Sequence, residues 1–273
     1  IKQIQDNATV TDGTDTVTLG AGDSYTCSEP EEKLDFIITV DTTISDVSPS
    51  DSYILSFIDN ANKNFHVDWG DGSNQYVQSS FSGSSITHQY PSSGIYDVTI
   101  KGKLAFKAPN DNLKITKIKQ WGKHIREGAY LSFQLLNNLQ SIPLNETLVL
   151  PYNSRQCFAG TPLSNFGKIE TSGVDSLFQS FYSTNFDYDV SDWNVARVQD
   201  FTLMFYDTSM SVANCDAILT GWQRWDSVNG VPRLILLSNK SIHLGNTDYT
   251  RGGDAEAAFN YLVNTLNWTI TFG

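Results

Sequence analysis

A chain of 273 residues is long for one small core and short for three, and with 40% hydrophobic and 18% charged residues it has the composition of a folded protein. Thirty acidic against 18 basic residues leave a net charge of -12, which opposes binding to nucleic acid phosphates and anionic lipid surfaces. The longest purely aliphatic run, residues 234–237, is far below the ~18 residues of a membrane span, so no membrane insertion is expected.

The chain begins at Ile1 with no apolar leader, the mark of a processed chain or of a piece of a longer one. Residues 1–33 read as a small β appendage: Thr9-Val10-Thr11, a turn at Asp12-Gly13, Thr16 to Leu19, then Gly20-Ala21-Gly22-Asp23 before Ser24 to Cys27. Glu29-Pro30-Glu31-Glu32-Lys33 reads as a linker, because proline and dense charge oppose both sheet pairing and helix burial. Strand signals then recur at 34–40, 53–58, 65–69 and 95–100. In the last, Tyr96, Val98 and Ile100 share one face and Asp97, Thr99 and Lys101 the other, the period of a strand buried on one side. Residues 34–108 are therefore expected to form a small antiparallel sandwich, with Phe65, Val67 and Trp69 alternating into its core.

Beyond Pro109 an internal period takes over. Val174, Leu177, Phe181 and Thr184 match Val198, Phe201, Phe205 and Thr208 in register, and Arg155, Phe158 and Thr161 match Phe178, Phe181 and Thr184 in the same way. Phe133, one period before Phe158, marks a further copy. The repeat length, between 23 and 25, lies in the range of leucine-rich repeats, whose units bury their apolar faces only by stacking, so 109–273 is expected to be a short solenoid. At its end Asp254 is expected to cap a helix whose apolar stripe is Ala255, Ala258, Phe259, Leu262, Val263 and Leu266, closing the stack.

Three resemblances follow from these residues. Trp69-Gly70-Asp71-Gly72, then His88-Gln89-Tyr90, then Gly94-Ile95-Tyr96-Asp97-Val98 resembles the polycystic kidney disease (PKD) domain pattern WGDG, HxY, GxYxV. The resemblance implies an immunoglobulin-like sandwich of the kind used as a spacer or adhesion module outside cells, with His88 as a structural hydrogen-bonding group. Phe178 to Phe181, then Asp189-Val190-Ser191-Asp192-Trp193-Asn194-Val195, then Met204-Phe205 is similar to the repeat of BspA-like surface proteins, as are the IxQWG junction at 118–122 and the segments 217–222, 249–258 and 268–271. The copies before Gly173 lack the Trp-Asn-Val core. Residues 9–27 resemble short β segments of tailed-bacteriophage structural proteins.

The stretch HVDWGDGS, residues 66–73, could hold chemistry, but it lacks the alternating acids and closing glutamate of a calcium loop, and Asp68 and Asp71 sit on a strand end and its turn rather than across a cleft. Asp-Gly is a strong hairpin signal, so the expectation is a turn. No GxSxG, HExxH or GxxxxGK[ST] pattern is present. His66, His88, His124 and His243 are scattered without metal-ligand spacing, and Cys27, Cys157 and Cys215, with no CxxC, allow at most one disulfide. No catalytic, metal or cofactor residues are expected, and the chain is expected not to be an enzyme.

Binding remains. Tyr182, Tyr188, Tyr206 and Trp225 fall outside the regular repeat positions and are candidates for an exposed face, since tyrosine and tryptophan stack on sugars and anchor interfaces. The expected function is a surface-displayed adhesion or structural module on a phage virion (tail fibre, spike or head decoration). Its partners would be a host-surface glycan or protein receptor or other virion proteins, and homo-oligomers are compatible with it. A bacterial or protist adhesin of the BspA-like family and an accessory region of a secreted polysaccharide-degrading enzyme are the alternatives.

Overall fold

The computed structural model describes residues 2–3, 8–11, 16–19, 24–25, 35–59, 63–122, 132–223 and 237–273. The chain divides into two compact units, Ile1–Lys33 and Leu34–Gly273, and is mainly β, with two α-helices among the described residues. In the first unit β1 (Lys2–Gln3) pairs antiparallel with β4 (Ser24–Tyr25), and β2 (Ala8–Thr11) with β3 (Thr16–Leu19), Thr11 lying opposite Thr16. The Asp12-Gly13 turn, Gly20 to Asp23, Cys27 and the linker expected at 29–33 lie outside the described residues.

The second unit opens with seven strands: β5 (Phe36–Asp41), β6 (Ser52–Ser56), β7 (Asn64–Asp68), β8 (Asn74–Val77), β9 (Ser85–Gln89), β10 (Ile95–Lys103) and β11 (Ile115–Gln120). Five form an antiparallel sheet in the order β11-β5-β10-β7-β8, and β6 pairs with β9. Period-two alternation sends Phe65, Val67 and then Trp69 inward, with Val98 and Ile100 of β10. Phe57, just after β6, meets Phe65 edge-on with ring centroids 5.2 Å apart, so both sheets contribute to one core. The strand expected at 53–58 ends at Ser56, after which Phe57 makes a single bridge to Phe106. β8, β9 and β11 are additions to the expected strands; each has too few apolar residues to show alternation, and β11 lies beyond Pro109, within the stretch assigned to the repeats.

An ion pair buried from solvent ties the loop before β6 to the residues before β11. Asp111 and Lys114 are both 0% exposed. The Lys114 ammonium donates to Ser48 O, Pro49 O, Ser52 O and Ser48 Oγ at 2.7–2.9 Å, and Asp111 accepts from Ser48 N (2.8 Å), Ser48 Oγ (2.5 Å) and Ile54 N (2.7 Å). Such saturation is what lets a charged pair stay out of water. Beside it Asn112 Nδ2 donates to Leu135 O and Asn138 Nδ2 to Leu113 O, joining this turn to the first repeat coil.

The coils then stack. Phe133, Phe158, Phe181 and Phe205 form a buried column with successive centroids 5.3, 5.7 and 5.7 Å apart and planes within 22° of parallel. Backbone N–H groups of one coil donate to carbonyls of the next: Phe133 to Cys157, Phe158 to Ser180 and Phe181 to Met204. In three of the four coils a buried threonine closes the turn behind its phenylalanine, Thr161, Thr184 and Thr208 donating to the carbonyls of Phe158, Phe181 and Phe205 at 2.8–2.9 Å, while Leu136 stands at the matching place after Phe133. Left-handed backbone recurs at Leu135, Gly160, Ser183 and Asp207, two residues after each phenylalanine of the column. Short parallel pairs flank the column: β12 (Thr147–Val149) with β13 (Lys168–Glu170), and β14 (Ser241–His243) with β15 (Thr269–Thr271).

Two helices close this end. α1 (Val212–Trp222), not expected from the sequence, starts at Ser211, whose hydroxyl accepts from Asn214 N, and buries Ile218, Leu219 and Trp222. α2 (Asp254–Asn264) buries Ala255, Ala258 and Leu262 of the expected stripe; Phe259 and Val263 are only partly buried, and Leu266 lies beyond the helix end. Its cap differs from the expectation: Gly253 is the cap residue and Asp254 lies inside the first turn without a capping bond, while Glu256 accepts from Gly252 N at 2.9 Å. An acid in the first turn still favours the helix through its dipole.

Candidate functional site

The HVDWGDGS stretch folds into the turn between β7 and β8. Gly70 and Gly72 have φ of 83° and 91°, and a Cβ at Gly70 would lie 2.5 Å from Asp97 O, so glycine is required there on two counts. Gly94 exchanges hydrogen bonds with Thr42. Asp71 accepts from Ser73 N (2.9 Å), Ser73 Oγ (2.5 Å) and His88 Nε2 (2.8 Å). Burial pushes its carboxyl up, but the Ser73 and His88 hydrogen bonds outweigh that and hold it at about 2. His88 stacks on Trp69 (4.7 Å, 8°) and stands edge-on to Tyr90, which in turn stacks on Tyr96 at 3.8 Å.

A serine, a histidine and an aspartate thus meet, but not as a nucleophile relay. In a relay the imidazole bridges hydroxyl and carboxylate through its two nitrogens. Here Nε2 alone faces both, at 3.3 Å from Ser73 Oγ, and the hydroxyl gives its proton to the carboxylate directly. The arrangement closes a turn and pins two aromatic layers.

Both described cysteines are buried and free; burial pushes the Cys157 thiol far up and the Cys215 thiol up to about 12, with Asp216, Asp187 and Asp248 adding to the latter. Among the described residues no group of three or more His, Cys, Asp or Glu gathers to hold a metal, and no helix is long and apolar enough to cross a membrane.

The remaining candidates separate by position in the coil. Tyr182 and Tyr206 follow Phe181 and Phe205 and project to the opposite side of the backbone, where they stack at 5.5 Å and 10°, Tyr206 being 41% exposed. His243 meets Tyr206 with centroids 4.8 Å apart; it is 8% exposed, and burial holds its imidazole below the ordinary value. Ser183 donates to Asp207 at 3.0 Å along the same rim. Tyr188, by contrast, is half-buried against the core and does not join this rim. Trp225 lies outside the described residues. Trp193 is buried, and Asn194 is a turn residue accepting from Ala196 N and, through its carbonyl, from Thr171. Leu135, 49% exposed on the first coil, escapes sequence reasoning; its match to Gly160, one repeat on, is the available signal.

No protein-family model matches the chain, and comparison with curated proteins and with solved structures finds no match either.

Proposed function

We propose that this chain is a non-enzymatic recognition module displayed on a surface: a β appendage, a PKD-type immunoglobulin-like sandwich, and a short BspA-like leucine-rich solenoid capped by helices. The observation that carries the reading is the division of labour in the coils of Phe181 and Phe205. One ring column is buried and fixes the spacing, while Tyr182 and Tyr206 leave an aromatic pair on the rim with polar neighbours Ser183 and Asp207. Rigid aromatics bordered by hydrogen-bonding groups suit a sugar ring or a protein loop, at low entropic cost. The carrier proposed is a tailed-phage virion, on the likeness of residues 9–27; the repeat wording around Trp193-Asn194 favours, as second reading, a bacterial or protist adhesin.

The test is a glycan array and host-cell binding assay on the full chain, with Tyr206→Ala beside it. Binding that falls at least about tenfold in the variant, about 1.4 kcal/mol, supports the reading. Wild-type binding unaffected by the substitution moves the site elsewhere, and turnover of any arrayed glycan removes the non-enzymatic reading.

A further inference from the structure

The rim continues beyond the two tyrosines. Leu135 N donates to Ala159 O (2.8 Å), Gly160 N to Tyr182 O (2.9 Å) and Ser183 N to Tyr206 O (2.9 Å). These bonds set Gln134-Leu135, Ala159-Gly160, Tyr182-Ser183 and Tyr206-Asp207 one after another along the stack. Two small residues, Ala159 and Gly160, thus lie between the half-exposed Leu135 and the Tyr182 ring, and a Cβ at Gly160 would meet Leu135 Cδ2 at 2.7 Å. Upstream of Leu135 the row opens into a cleft of about 350 Å³ lined by Lys107, Pro109, Asn112, Ser132, Gln134 and Leu135. That volume lies in the range of ligand sites.

We infer that this row is a track for a linear oligosaccharide lying along the repeat axis, one sugar unit to each coil, from the cleft at Lys107 to Tyr206. The inference rests on the recognition reading and specifies the shape of its ligand. Three observations carry it. Backbone hydrogen bonds between successive coils space them by about 4.8 Å, close to the advance of one unit along an extended glycan. The coils spend these N–H groups on one another along the axis, so they offer no strand edge to an extended peptide, and an occupant must be held by side chains. Those side chains are the ones sugars use: the outward parts of the Tyr182 and Tyr206 rings, which are packed on each other and on His243, the Gln134 amide, the acceptor oxygens of the Ser183–Asp207 pair, and the Lys107 ammonium at the cleft.

The experiment is calorimetric titration of the full chain with the arrayed linear glycans as oligomer ladders, from monosaccharide to hexasaccharide, with cello- and chito-oligosaccharides included. Affinity is expected to climb at least about tenfold from the disaccharide to the tetrasaccharide and then level off. The Lys107→Ala/Gln134→Ala variant should flatten that climb with length, whereas Tyr206→Ala should weaken every length. Thermal melts confirm that both variants are folded. Equal affinity from the disaccharide upward, with sensitivity to Tyr206→Ala alone, overturns the track and leaves the recognition reading standing. A protein receptor captured at Tyr206 with no linear glycan bound also overturns it, and no binding of any kind removes both readings.

Discussion

Tyr182 and Tyr206, one repeat apart, stack at 5.5 Å and 10°, and the adjacent Phe181 and Phe205 stack on the other side of the same backbone at 5.7 Å and 22°. One spacing governs both pairs. It is set where the N–H groups of Phe181 and Ser183 meet the carbonyls of Met204 and Tyr206, at 3.0 and 2.9 Å. The exposed Tyr206 and the half-buried Tyr182 are thus held at the spacing of the buried pair.

Phe181 is the ring on which this depends, since it also touches Phe166, Phe186 and Trp193. Phe181→Ala should cost about 3–5 kcal/mol, the range for emptying an aromatic site in a packed core. Tyr206→Ala, on the rim, should cost under about 1 kcal/mol. Urea denaturation of the two variants measures the contrast; similar losses would mean that the rim, too, is part of the core.

The coil threonines are hydrogen-bonding groups before they are apolar ones. Thr184→Val keeps the volume and removes the bond to Phe181 O, leaving a buried carbonyl short of a partner, at a cost of about 1–3 kcal/mol. The equivalent changes at Thr161 and Thr208 should fall in the same range, and a scatter much wider than that would argue against equivalent coils.

Asp71 carries an acid-dependent part of the stability. Its carboxyl lies below its ordinary 3.8 in the folded chain, so its contribution is complete above that value and is lost as pH falls toward about 2. Asp71→Asn should lower the melting temperature at pH 6 and reduce its fall between pH 4 and pH 2. Identical acid limbs in both proteins would show that Asp71 has no such role.

The Asp111–Lys114 pair should be costly to break from one side. Lys114→Met leaves Asp111 buried without its cation and should cost about 3–5 kcal/mol. Adding Asp111→Asn removes that charge while keeping a residue tolerant of its φ of 48°, and should recover part of the loss. A double-mutant cycle gives the coupling; purely additive losses would mean that the two charges do not sense each other.

The two turn glycines should respond differently to alanine. At Gly70 the new Cβ meets Asp97 O at 2.5 Å as well as the positive φ, whereas at Gly72 nothing lies within 4 Å and only backbone strain remains, about 1–3 kcal/mol. Gly70→Ala should therefore be the more damaging, as judged by thermal melts.

What could be read from the sequence was local or repetitive. Phe65, Val67 and Trp69 alternate because a strand has period two, and Phe158, Phe181 and Phe205 with their threonines recur because each coil solves the same packing problem with the same residues. The hairpin of β2 and β3 and the apolar stripe of α2 were legible for the same reason.

What only the tertiary structure decided depends on partners far away in the chain. β8, β9 and β11 carry few apolar residues and become strands through their neighbours, and Lys114 is buried because Ser48, Pro49 and Ser52 supply its acceptors. Tyr182, Tyr188 and Tyr206 look alike in sequence, yet the coil register places two on the rim and leans the third on the core. A side chain's face in these coils is set by the hydrogen bonds its backbone makes to the next coil, and those partners lie a full repeat further along the chain.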